Sequence, residues 1–256
     1  MKPKAPKDLV KIAEYAAEKA KKLGAQECAS KAFRKRHYKV VYRDGKWEEL
    51  SGATQCSLSV RLFVDGRYAV HSTTDITKKG VEPFLKEAVA LTRHLMEDKY
   101  RKLPPQELYK GRSEKDLKIY DPNHEALDLT ARQALAKRAF QQAEGKAGKN
   151  LISASAAFAD SITESVKRHS NGFADHETET FYSSWATVSL KDPKGSRPSD
   201  WSAGGARQLT DLVKPEEIGE EAARRAVAQL GAKKIASVKL PIIVENRAVR
   251  RLLGGF

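Results

Sequence analysis

The chain is poor in the features that mark several common functions. It has two cysteines in 256 residues, Cys28 and Cys56, far apart and in no CxxC spacing. That pattern argues against a disulfide framework or a zinc ribbon and is read as two small buried thiols. No apolar run approaches the ~20 residues of a membrane-spanning helix. The basic N-terminus MKPKAPKDLV is followed by no apolar core, so no secretory signal is read and the cytoplasm is the expected location. There is no GxGxxG, no Gly-Lys phosphate loop and no GxSxG elbow. The six histidines are His37, His71, His94, His124, His169 and His176, and none forms an HExxH zinc helix.

What is present is charge. The formal net charge is +14, with 31 % charged and 40 % apolar residues. Such a balance belongs to a folded soluble domain, and 256 residues bury a real core. The positive excess raises a nucleic-acid reading. The basic residues are spread along the chain, however, and the densest run is Arg34-Lys35-Arg36-His37. Solvated helix faces account for most of the rest.

The patterning predicts an α+β fold of antiparallel sheets with helices packed on one face, in two sub-domains. Residues 8–23 read as an amphipathic helix with Asp8 as N-cap and Gly24 just past its end. Two strand pairs follow, turned by Asp44-Gly45 and Asp65-Gly66, which makes an antiparallel meander. A second helix spans about 78–96, with its regular part starting near Pro83 and Asp75 as a candidate cap. The expected division is an N-terminal two-layer domain at 1–103, a Pro-rich linker at 104–124, a middle domain at 125–236, and the start of a further domain at 237–256. In the middle domain a helix at 125–144 precedes a long ribbon folded at Asn171-Gly172, where a type I′ turn is expected. Residues 191–205 read as loop, 215–230 as helix, 239–244 as a short strand and 246–253 as helix.

Chemistry-bearing clusters are few. His169 and His176 flank the Asn-Gly turn and are weak metal candidates if they face each other across the ribbon. His71-Ser72-Thr73-Thr74-Asp75 holds Ser, His and Asp in one run, which suits a strand end and a helix cap better than a triad. Glu216-Glu217 and Glu220-Glu221 suit the positive end of a helix and its solvated face.

Four segments resemble the TldD/TldE (PmbA) family, the "modulators of DNA gyrase". They are LSVRLFVDGRYAVHSTTD (58–75), DLKIYDP (116–122), HSNGF (169–173) and residues 215–256 from PEEIGEEAARRAV onward. The residues carrying the resemblance are Arg61, Asp65, Gly66, Ser72, Thr73, Asp75, Ser170, Asn171, Gly172, Gly219 and Pro241. The resemblance implies a paired assembly that degrades extended or precursor peptides, in which TldD carries zinc on HExxxH and TldE lacks that motif. The ENRAVRRLLGG ending is similar to TldE. The resemblance therefore implies a partner subunit with no catalytic residue and no cofactor of its own, zinc in a TldD-like partner, and a hetero- or homodimer that binds an extended peptide. Phe256 falls where the family's C-terminal domain would begin, so a fragment is expected. A basic nucleic-acid module and a self-contained metalloenzyme are the alternatives.

Overall fold

The computed structural model describes residues 3–111, 113 and 115–255. Its helices form where apolar residues recur on one face. In α1 (Lys7–Lys22) the stripe Leu9, Ile12, Ala13, Ala16, Ala17 and Ala20 is buried. Its N-cap is Pro6, not Asp8. At its other end Gly24 takes φ 105°. Ala25 N then donates to Ala20 O and Gly24 N to Lys21 O, which satisfies two terminal carbonyls. Helix α2 (Lys78–Thr92) starts well before Pro83, which is exposed in its second turn. Its N-cap is Thr77, whose hydroxyl accepts from Gly80 N. Asp75 acts one step back, accepting from both the amide and the hydroxyl of Thr77.

Strands β1 (Glu27–Arg43), β2 (Lys46–Val64) and β3 (Arg67–Thr73) form the expected meander. Asp44, Gly45, Asp65 and Gly66 all have positive φ, as two-residue type I′ turns require. Then come α3 (Leu129–Ala147), capped by Asp128, and the ribbon β4 (Leu151–His169) and β5 (Ala174–Leu190). Strand β6 (Ser199–Ala206) lies where loop was expected. Helix α4 (Pro215–Val227) closes the packed part. Residues 239–244 form no strand, and α5 (Asn246–Leu253) buries no residue. Phe256 lies outside the described residues.

All six strands join in one antiparallel sheet of order β3-β2-β1-β4-β5-β6. The strands of both halves meet at the β1–β4 seam, which runs from Ala29↔His169 to Arg43↔Ser155. Residues such as Cys28, Ala32, Val40, Phe158 and Val166 point to the helix-covered face, and all four packed helices lie there. The opposite face carries Lys31, Lys35, Lys39, Ser161 and Thr163. Three buried clusters fill the covered face: one under α1 and α2, one under α3 and α4, and a small one between them around Val40, Ala136, Phe158 and Tyr182. No helix among the described residues is long and apolar enough to cross a membrane.

Candidate functional site

The hairpin at the centre of the ribbon is not the expected type I′ turn. Gly172 has φ 94°, but Asn171 is not in the positive region. Gly172 N donates to His169 O, and His169 N donates to Phe173 O, which makes a three-residue loop with its glycine in the left-handed position. Contacts from distant segments set this geometry. Ser170 exchanges hydrogen bonds with the Cys28 backbone. Asn171 donates to Pro104 O and accepts from the Tyr109 hydroxyl. Tyr109, His169 and Phe173 pack ring to ring. The two histidines do not face each other. Alternation puts His169 on the open face and His176, opposite Val166, on the helix face. Burial lowers the His169 pKa, and the nearby charges of Arg61 and Lys167 lower it further, which disfavours a cation there. Among the described residues no group of three His, Cys, Asp or Glu side chains is placed to hold a metal.

The sheet instead presents backbone. The His169–Phe173 hydrogen bond fixes the parity of β5, so His176, Thr178 and Thr180 turn their N–H and C=O groups away from β4. Beyond Thr180 these outward groups meet β6, from Tyr182↔Ala206 to Ser189↔Ser199. Thr180 N itself donates to Ile119 O at 2.9 Å. The main-chain N–H and C=O groups of His176 and Thr178 have no partner among the described residues, while the His176 ring meets Pro3 O, which also lines the cleft, at 3.2 Å. Beside them opens a cleft of about 570 Å³, lined on one side by Asp175–Thr178 and on the other by Lys115, Leu117, Ile119 and Tyr120. Other edges are also open, the outer side of the terminal strand β3 among them. Strand β3 covers β2 only from Leu58 onward, so Leu50–Cys56 has a free outer side. On β6, Ala203 and Gly205 turn outward beside a second hollow of about 590 Å³ that includes Phe181 and Trp201. The Phe181 ring lies so close to Gly205 that a Cβ there would sit 2.7 Å from it.

Beneath the cleft lies a buried polar cluster that the sequence reading placed partly in a linker. Arg132 clamps Asp160 at 2.6 and 3.0 Å. His124 Nε2 lies 2.8 Å from Asp160 Oδ1, off the hydrogen-bond axis, and its Nδ1 is buried without a partner. Asp121 accepts from the Tyr182 hydroxyl at 3.0 Å and from the amides of Leu209 and Asn123. Burial pushes the Asp160 carboxyl up, but His124 and Arg132 outweigh it and the net pKa is lowered. Asp121 is likewise lowered, its backbone and Tyr182 donors outweighing burial. Burial and Asp121 push the Tyr182 phenol up. These contacts fasten residues 121–124 to the sheet. Cys28, pushed up to about 12 by burial, is inert as a nucleophile.

Two family models match this architecture, the PmbA/TldA metallopeptidase domain 1 over residues 33–92 and the PmbA/TldA metallopeptidase central domain over residues 122–230. The chain belongs to the PmbA/TldD family. It is 25 % identical over 220 residues to the metalloprotease PmbA of Escherichia coli O157:H7, a match covering 84 % of this chain and 47 % of that protein. A PmbA homolog of Buchnera aphidicola from Acyrthosiphon pisum is 26 % identical over 178 residues, covering 68 % of this chain and 38 % of that one. Among solved structures, a protein described as a modulator of DNA gyrase from Bacteroides thetaiotaomicron superposes with TM-score 0.84 at 30 % identity, over 90 % of this chain and 52 % of that one. TldE from Thermococcus kodakarensis shares the fold, with TM-score 0.68 at 17 % identity, over 84 % and 47 % of the two chains. The chain thus spans under half the length of these curated relatives.

The residues that suggested the PmbA/TldD family are scattered through this fold. Arg61 is on the open face of β2, opposite Ala29 and Val70. The Asp65-Gly66 turn is held by reciprocal hydrogen bonds with Gln26. Ser72 and Thr73 end β3, and Thr73 Oγ1 accepts from Asp75 N. Gly219 marks where α4 crosses α3, because a Cβ there would meet Ala139 O at 2.0 Å. Pro241 lies in the exposed segment before α5. Ser170, Asn171 and Gly172 alone gather around one place, the pinned ribbon turn. Sequence reasoning missed Tyr109 and Gln106, whose hydroxyl and side-chain amide donate to Asn171, and Lys118, which has positive φ. For Lys118 a signal existed: Asp116 stands two residues before it, and its carboxylate accepts from Lys118 N.

Proposed function

We propose that this chain is a TldE/PmbA-like, non-catalytic subunit of a zinc metallopeptidase complex that cleaves unfolded or precursor peptides. The observation that carries the reading is the set of open backbone edges on a large antiparallel sheet. Such edges hold an extended peptide by main-chain hydrogen bonds and are therefore tolerant of its sequence. The family membership and the structural likeness to TldE support it. The two candidate histidines do not make a zinc site, since they lie on opposite faces of the sheet. Zinc belongs in this reading to a TldD-like partner. A cytoplasmic dimer, and the division at 104–124 and 237, are parts of the same proposal.

The basic run Arg34–His37 supports no nucleic-acid reading. Alternation splits it between two faces, and its arginines are ion-paired, Arg34 with Asp8 and Glu164 and Arg36 with Glu125. The test is reconstitution. The chelator-washed chain, a TldD-like HExxxH subunit and a dye-labelled unfolded peptide are combined, singly and together. Cleavage requiring both subunits, with no stoichiometric zinc in this chain alone, is the expected result. Cleavage by this chain alone would overturn the reading.

A further inference from the structure

We propose that the wedge between β5 and residues 115–119 is the seat of one extended strand of an unfolded peptide, paired with the outward backbone of His176 and Thr178. The proposal rests on the peptide-holding reading above and fixes where on the sheet the peptide lies. Three observations converge on it.

The first is the shape of the wedge. At its closed end Thr180 joins the incoming chain twice, its N–H donating to Ile119 O and its hydroxyl accepting from Asp121 N. One residue further out, Lys118 has φ 53°, a region that side-chain-bearing residues rarely occupy. Asp116 accepts from its amide and Gln208 donates to its carbonyl, so the kink is held from both sides. This kink turns residues 115–117 off the strand. A straight continuation would pair Leu117 with the Thr178 region and close the edge.

The second is the state of the edge. Thr178 is 7 % exposed, yet its outward N–H and C=O have no protein partner among the described residues. Sheltered backbone groups are almost always paired in folded proteins, and these two, with those of His176, point into a cavity. A strand repeats its outward groups every second residue, so one inserted strand satisfies both positions.

The third is the chemistry of the walls. Lys115 and Lys167 stand among Asp116, Asp175 and Glu177, so both signs are present, and Leu117, Ile119 and Tyr120 add apolar surface. No single charge or side-chain type is selected, as sequence-tolerant capture requires. The second wall also decides between occupants. An edge strand of a second folded copy would bring its neighbouring strand about 4.8 Å behind it, into the space held by residues 115–117. A lone peptide strand has no such companion.

The experiment measures fluorescence anisotropy of an end-blocked, dye-labelled, unstructured peptide of Ser, Thr, Val and Lys against the intact chain. Three proline variants each remove one outward N–H, which an edge position tolerates: His176→Pro in the wedge, Thr54→Pro on β2 and Ala203→Pro on β6. We expect His176→Pro to weaken binding about tenfold, the scale of one lost backbone hydrogen bond with its neighbours disturbed. The other two should bind as the parent does. Leu117→Arg, at a position 69 % exposed, narrows the wedge from the other wall and should weaken binding even if His176→Pro fails to fold. Parent-like binding by both wedge variants, or loss on Thr54→Pro or Ala203→Pro instead, would overturn the placement and leave the peptide-holding reading standing. A concentration-dependent dimer lost in His176→Pro with peptide binding unchanged would assign the wedge to a second copy and also overturn it. No peptide binding by the parent would sink both.

Discussion

The two cores under the same face of the sheet are built differently. Under α1 and α2 the sheet and α2 supply mostly branched side chains, Leu58, Val60, Leu62, Val64, Val81, Leu85 and Val89, while α1 adds Leu9 and Ile12 beside Ala13, Ala16 and Ala20. Under α3 and α4 the packing is mostly methyl groups: Ala139, Ala143, Ala147, Ala154, Ala156, Ala186, Ala222, Ala223 and Ala226. The first core keeps its helices apart with side chains. The second lets backbones approach, to the point that Gly219 has no room for a Cβ against Ala139 O. The first is therefore vulnerable to deletion of volume and the second to its addition. Between them stands the Arg132–Asp160 pair, which belongs to neither regime.

That difference can be broken in order of effect. Arg132→Met leaves the Asp160 carboxylate buried without its clamp, and chemical denaturation should show a loss of about 3–5 kcal/mol. A loss under 1 kcal/mol would mean that the pair is solvated. Leu58→Ala, in the bulky core, should cost about 2–5 kcal/mol through transfer and cavity terms. Gly219→Ala adds one methyl to the tight core and should cost about 1–3 kcal/mol, by forcing α4 away from α3. If Gly219→Ala melted with the parent, the close crossing would be wrong and the contrast between the cores would fall with it.

The smallest effect is acid sensitivity. Asp121 and Asp160 both have folded pKa values below the ordinary Asp value of about 3.9. Their stabilisation is thus fully present above that value and is lost as pH falls through the lower folded values. Urea midpoints should hold steady, as far as these two groups govern them, from neutral pH to about pH 5 and fall below about pH 4. A midpoint that rose on acidification below about pH 4 would contradict the assigned direction.

Much of this fold was legible because local chemistry and final structure agree. Asp44-Gly45 and Asp65-Gly66 turn as their residue types prefer, and the stripe from Leu9 to Ala20 is buried as its spacing predicts. Strand β6 was hidden because Ser199–Ala206 carries two glycines and no apolar alternation, and is a strand only through its pairing with β5. The Asn171-Gly172 turn departed from its local preference because Cys28, Pro104 and Tyr109, all distant in sequence, hold it in another form. Residues 115–122 carry no local pattern, since their partners Thr180, Tyr182 and Gln208 lie some sixty to ninety positions away. The candidate site was illegible for the same reason. A wedge made by one left-handed lysine beside a half-covered strand has no local signature.

The β1–β4 seam has a kinetic consequence. It joins stretches more than a hundred residues apart in the sequence, so forming it closes a long loop before most of its hydrogen bonds exist. Each half can gather its own helices and hairpins quickly, but neither reaches its final neighbours until that loop closes. Folding should therefore show an early, local phase and a slower one that reports docking of the halves. Once zipped, the halves share backbone along the whole seam and should come apart together, as one cooperative unit.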